Sequence, residues 1–180
     1  SHTYTLVSGT GSTDNSSFTI SGSSLKTAVS FDYETKSSYS IRIRTTDVSG
    51  LYYEEVFTIT VTDANEAPTD ISISSSSIAE NESSGTTVGT LSTTDAEAGD
   101  SHTYTLVSGT GSTDNSSFTI SGSSLKTAAS FDYETKSSYS IRIQTEDSGG
   151  ATYEEAFTIT VTDVDETPAN LAPTYISISS

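Results

Sequence analysis

Hydrophobic and polar residues alternate along this chain with a period of two. In Ser138-Tyr139-Ser140-Ile141-Arg142-Ile143, the residues Tyr139, Ile141 and Ile143 share one face, and Ser140 and Arg142 the other. The same rhythm runs through Phe157-Thr158-Ile159-Thr160-Val161, with both threonines turned outward. Further strands are predicted at Thr103 to Val107, Phe118 to Ile120, Leu125 to Ala128, Ile71 to Ser74 and Thr87 to Leu91, separated by turns rich in Gly, Ser and Asp. No stretch of useful length has helical periodicity. Seven short strands in about a hundred residues predict an all-β fold, a seven-stranded Greek-key β-sandwich of the immunoglobulin-like kind.

The pattern occurs twice. Residues 1–66 return almost unchanged as residues 101–166, at an offset of one hundred. That period is too long for a solenoid turn and suits a whole small domain. A brick repeated so closely suits a spacer, since adjacent copies of one active site are rarely needed. The boundary lies at Asp63-Ala64-Asn65-Glu66-Ala67-Pro68-Thr69, where a strand ends and a proline stiffens the crossing. Three segments are expected: residues 1–66, a repeat lacking its first strand; residues 67–166, a complete repeat; and residues 167–180, a longer linker with the first strand of a next repeat, since Tyr175 to Ser180 matches the strand beginning at Asp70. The expected context is a continuous array, with strand donation from a neighbouring chain as the alternative.

Composition narrows the function. The chain holds 37 Ser and 32 Thr, as expected of strands with one solvated face, and its recurrent Tyr, Phe, Ile and Val argue against disorder. The 24 acidic and 7 basic side chains give a net charge of −17, which disfavours nucleic acid and anionic membranes as partners and favours a cation. There is no cysteine, hence no disulfide or thiolate metal site. No apolar run is long enough to insert this segment into a bilayer.

The acids gather at strand ends and at the boundary. Asp32-Tyr33-Glu34 and Asp132-Tyr133-Glu134 place carboxylates at i and i+2, which in an extended segment point the same way. Asp63, Asn65 and Glu66 lie in the linker, Asp95 and Glu97 in a Gly-containing loop, and Asp147 before Gly149 and Gly150. Close pairs of such anions repel by up to about 4 kcal/mol at an effective dielectric of 20, so clustering them calls for a cation. An all-oxygen ligand set on loops, without His or Cys patterning, specifies Ca2+ over magnesium.

These residues resemble the cadherin repeat, in particular the cadherin-like domains of large bacterial surface adhesins. Ala79-Glu80-Asn81 matches the PEN-type motif, Asp132-Tyr133-Glu134 the DxE motif, and Asp63-Ala64-Asn65-Glu66-Ala67-Pro68 the linker motif DxNDNAP. Asp95-Ala96-Glu97 matches DxD, and Asp147 the later DxG aspartate. The resemblance spans essentially the whole chain. It implies calcium at the first junction, held by Asp32, Glu34, Asp63, Asn65, Glu66, Asp95, Glu97 and Asp147. It also implies that Glu80, Asp132, Glu134, Asp163, Asp165 and Glu166 form the upper half of the next site. Glu66 and Glu97 stand where the family has aspartates.

Other readings are weaker. Paired carboxylates also serve glycoside hydrolysis, but a narrow sandwich predicts no cleft and the pairs recur in both units, so an enzyme is not expected. His2 and His102 read as surface or half-buried residues, and Asp100 and Asp114 as turn residues. Tyr52, Tyr53 and Tyr153 suit stacking on a sugar ring, with cross-strand packing the plainer explanation. Asn15-Ser16-Ser17 fits a glycosylation triplet, a frequent match in a Ser-rich chain.

The expected function is a calcium-rigidified extender of an extracellular adhesin at the cell surface, its partners being adjacent repeats of the same protein. The alternatives are a repeat subunit of an extracellular filament of like chains, assembled by strand donation, and a carbohydrate-binding module.

Overall fold

The structure is a computed structural model and describes residues 1–166. The chain divides into two compact units, Ser1–Asn65 and Glu66–Ser180. The expected linker and strand over residues 167–180 lie outside the described residues.

Unit 1 contains β1 (His2–Leu6), β2 (Phe18–Ser21), β3 (Ser24–Thr27), β4 (Ser38–Asp47) and β5 (Tyr52–Thr60). An antiparallel sheet has the order β1-β4-β5, and β2 and β3 form a hairpin. Phe18, Phe31 and Tyr39 join these elements, with ring centroids 4.4 to 5.9 Å apart. Beside them, the inner face of the sheet carries an open groove of about 280 Å³, lined by Tyr4, Ile43, Thr45, Tyr53, Glu55 and Phe57.

Unit 2 contains β6 (Asp70–Ile73), β7 (Ser77–Ala79), β8 (Thr87–Thr94), β9 (Thr103–Leu106), β10 (Phe118–Ser121), β11 (Ser124–Thr127), β12 (Ser138–Glu146) and β13 (Thr152–Thr162). Two four-stranded sheets, β10-β11-β8-β6 and β7-β13-β12-β9, enclose a core that includes Ile71, Val88, Leu91, Leu125, Ile141, Ile143, Ile159 and Val161. Fully burying each such side chain contributes about 1.5–3 kcal/mol. The alternation seen in the sequence is the cause: every second residue of β12 and β13 enters this core, and its neighbours face water.

Polar groups inside the core are paired. Thr145 is fully buried, and its hydroxyl lies 2.9 Å from that of Thr93, which donates to the Tyr104 hydroxyl. Gly89 permits a close approach between β8 and the chain after β6: a Cβ there would lie 2.5 Å from the Ser75 carbonyl oxygen.

The all-β sandwich agrees with the sequence pattern, but the described residues of unit 2 form eight strands rather than seven. The additional strand is β7, which pairs in parallel with β13 through Ser77, Ile78 and Ala79. The first strand is thereby split between the two sheets, β6 joining one and β7 the other. Strands β8, β12 and β13 also run beyond their predicted ends, because ladder hydrogen bonds continue where the hydrophobic alternation lapses.

Candidate metal centre

β7 and a left-handed residue place the first ligand. The parallel pairing with β13 ends at Glu80, whose N–H donates to the Thr162 carbonyl. Asn81 follows with φ of 62°, a conformation Asn tolerates better than most residues, and its N–H donates to the Phe131 carbonyl. Glu80 is therefore turned inward and is 3% exposed. Its Oε2 accepts the Tyr133 N–H and its Oε1 the Val164 N–H, each at 2.8 Å.

Those bonds draw two further segments of unit 2 to Glu80. Ligand oxygens of Glu80, Asp132 and Glu134 lie within 4.8 Å of one another. Asp132-Tyr133-Glu134 is not extended here, contrary to the sequence expectation. It forms a turn closed by a bond from the Lys136 N–H to the Asp132 carbonyl, and the Asp132 carboxylate accepts the N–H and hydroxyl of Thr135. Hydrogen bonding to a carboxylate outcompetes the extended backbone at this position. The Asn81 amide donates to Glu166 at 2.6 Å, bringing the strand exit to the same loop.

The electrostatics distinguish the two acids of the pair. Thr135 hydrogen bonds hold the Asp132 carboxyl below its ordinary value. Glu134 has a hydrogen bond from its own backbone N–H that favours ionisation, yet desolvation and the charges of Glu80, Glu166 and Asp163 raise it overall. In unit 1, Thr35 likewise lowers Asp32. Glu34 is raised in spite of its own N–H, by desolvation, by hydrogen bonding to Asp32 and by the charges of Asp63 and Asp32. Both pairs concentrate negative charge that a hard cation would neutralise.

A second group of acids lies at the far end of β8. Ligand atoms of Asp95, Asp100 and His102 are within 4.8 Å of one another, and His102 Nε2 is 2.8 Å from Asp95 Oδ2. Asp100 accepts the Ser148 N–H, joining this loop to the hairpin that carries the buried Asp147. The Asp147 carboxylate accepts the Ala151 N–H at 2.8 Å. Glu97 Oε1 accepts the Glu66 N–H at 2.7 Å, whereas its Oε2 is buried without a hydrogen-bond partner among the described residues.

The donor set fits calcium. It is made of carboxylates with lone pairs left after their backbone bonds, and the orphaned Glu97 oxygen lacks the compensation that a buried acceptor requires. The sequence reads His102 as a surface or half-buried residue and Asp100 as a turn residue; the structure adds both to the surroundings of Asp95. The spacing Asp95, Asp100, His102 within one loop was the available signal. Asp114 is a structural hub: it accepts the Lys136 ammonium and the Ser140 N–H, and Lys136 lies 4.7 Å from the centre of the Tyr139 ring. Asp163 and Asp165 are exposed after β13, and Asp63 and Asn65 after β5.

Residues 74–162 match the family model of the cadherin domain. No curated protein matches the chain. Among solved structures it is similar to human protocadherin-24 EC1-2, at 22% identity and a TM-score of 0.69, covering 91% of this chain and 83% of that one. Chicken VE-cadherin EC1-2 is 25% identical with a TM-score of 0.56, covering 90% and 84%. The protocadherin gammaB7 EC3-6 cis-dimer is 24% identical with a TM-score of 0.63; the match covers 92% of this chain but 41% of that one. The chain thus spans less than half the length of that protocadherin segment, and its sandwich is cadherin-like.

Proposed function

We propose that this cadherin-like chain is a calcium-rigidified extender of an extracellular bacterial surface adhesin. The observation that carries the reading is the convergence of buried Glu80 with Asp132 and Glu134, whose oxygens lie within 4.8 Å of one another. Unfavourable as an isolated anionic cluster, it becomes favourable as a ligand set. Glu80, Asp132, Glu134, Asp163, Asp165 and Glu166 would hold calcium below unit 2. Asp32, Glu34, Asp63, Asn65, Glu66, Asp95, Glu97 and Asp147 would hold it at the linker between repeats.

When bound, calcium supplies charge neutralisation and shared coordination. The chain's own part is to preorganise acceptors: Glu80 is fixed by two backbone donors, Asp132 by Thr135, and Asp147 by Ala151. Loss of linker freedom turns a string of domains into a spacer that carries other modules away from the cell. Extracellular sites of about 10⁻⁴ to 10⁻³ M affinity are occupied where calcium is abundant. The role is mechanical, with no catalytic step.

The test is X-ray scattering and thermal melting of the 180-residue chain with calcium and with chelator. A longer particle and a higher Tm in calcium are expected. Equal lengths and equal Tm values refute the reading. Asp63→Asn with Asp95→Asn should reproduce the chelated length in the presence of calcium.

A further inference from the structure

The two repeats are close enough that their differences are informative. Residues 1–63 and 101–163 differ at eight positions, and seven of these fall within the 13 positions 44–56. Outside that hairpin the one change is Val29 to Ala129. Four of the seven lie in paired strands: Arg44, Thr46, Tyr52 and Val56, replaced by Gln144, Glu146, Thr152 and Ala156.

All four share one face. Ile43, Thr45, Tyr53 and Phe57 line the inner groove of β4 and β5, so residues 44, 46, 52 and 56 point to the outside. Within these two strands the inner residues are identical in the two repeats, and every change falls on the outer face. In unit 1, Tyr52 is 62% exposed with the Arg44 guanidinium 4.4 Å from its ring centre, and Leu51 beside it is 73% exposed. Glu54 is shared by Arg42 and Arg44, so two arginines face one carboxylate. In unit 2 the balance is reversed: Arg142 pairs with Glu154, Glu146 adds a second carboxylate to the same face of β12, and Thr152 and Ala156 remove the apolar surface.

We propose that the outer face of β4 and β5 is an interaction surface for a second copy of this chain, docking the outer face of that copy's β12 and β13. Charge complementarity selects this occupant. The unit 1 face is cationic on a chain of net charge −17, and the equivalent face of unit 2 has become acidic at the same register. Exposed Tyr and Arg beside aliphatic surface are the composition of an interface centre, and Arg pairs well with carboxylates across it. Opposite potentials also suppress the pairing of two unit 1 faces or two unit 2 faces. A sugar is a poorer occupant, because Arg44 lies over the Tyr52 ring and the surroundings are aliphatic. The contact needs no ion and stands apart from the calcium reading.

Sedimentation equilibrium of the 180-residue chain, in calcium and in chelator, tests the proposal. Reversible self-association that weakens with added salt is expected in both. The variant carrying Arg44→Gln and Tyr52→Thr takes its residues from the other repeat, where the same hairpin folds, and should weaken association by roughly tenfold or more. Glu146→Thr should weaken it from the opposite side. Arg44→Glu should abolish it, and adding Glu146→Arg to that variant should restore it. A wild-type chain that stays monomeric at every concentration overturns the proposal. So does association that the Arg44→Gln, Tyr52→Thr variant leaves unchanged, which would point to the inner groove or to bridging ions. Binding of a wild-type monomer to acidic glycans, lost in that variant, would replace the second copy by a sugar.

Discussion

Leu25 and Leu125 sit in identical local sequence and in identical hairpins, yet Leu25 is 37% exposed and Leu125 is fully buried. Tyr53 and Tyr153 differ in the same sense. The cause is β6, β7 and β8, which cover the inner face in unit 2: Ile71, Val88 and Leu91 pack into the core that contains Leu125, and the Ile71 N–H donates to Glu155. The Phe18 and Phe118 rings, by contrast, are buried alike. Local sequence thus specifies hairpins and the aromatic cluster, and burial of the remaining face depends on strands from elsewhere in the sandwich.

Alanine at the two leucines should have the largest and most unequal effects. Leu125→Ala should cost about 2–5 kcal/mol, and Leu25→Ala less than about 1 kcal/mol, read by hydrogen exchange in β10–β11 and β2–β3. Equal costs would mean that the inner face of unit 1 is covered in solution. Next comes calcium: at about 100 times its Kd, a site binding the folded state alone adds about 2.7 kcal/mol. Exchange protection around Asp132 should rise in calcium, because Glu80, Asp132 and Glu134 offer oxygens within 4.8 Å of one another. Glu80→Gln should lower that rise and leave the response around Asp32 in place, and an unchanged response around Asp132 would overturn the ligand set.

A smaller effect should be shared by both repeats. Asp114→Ala is expected to cost about 1 kcal/mol through lost hydrogen bonds to Lys136 and Ser140, and Asp14→Ala should act in the same direction. Burial opposes ionisation of Asp114, but the hydrogen bonds and charge of Lys136 and the Ser140 N–H hold its carboxyl below the ordinary 3.8. With a depressed folded value, the stabilisation is present above the unfolded value and is lost as pH falls through the folded one. The Tm gap between wild type and Asp114→Ala should therefore close below about pH 4.

Glu134 has the opposite sign. Its raised folded value makes a contribution that favours the fold in acid and disappears as pH rises through that value. In chelator, Glu134→Gln should raise the Tm at neutral pH and not at acidic pH, while weakening calcium binding. A Tm increase that persists unchanged into acid would separate the effect from ionisation.

Much of the sandwich was legible because alternation has a simple cause: Tyr139, Ile141 and Ile143 need one apolar side. β7 was not, since three residues paired in parallel carry no alternation and depend on β13, more than 80 residues later. The acids were legible as a set, but the sequence could not show that Asp132 would close a turn on Thr135, that His102 would meet Asp95, or that Asp114 would capture Lys136. Each of these is a choice between partners that only folding brings within reach. Tyr52 and Tyr53 looked alike along the chain; opposite faces of β5 give one an arginine over its ring and the other the groove.

The parallel pairing of β7 with β13 also has a tensile consequence. β7 lies near the entry of unit 2 and β13 near its exit, and they are joined by Ser77, Ile78 and Ala79 against Thr160, Val161 and Thr162. Pulling on the two ends slides these strands past each other along their length, so the Thr160–Ser76 and Glu80–Thr162 hydrogen bonds bear load together instead of unzipping in turn. The short strand is a shear clamp for a domain under traction.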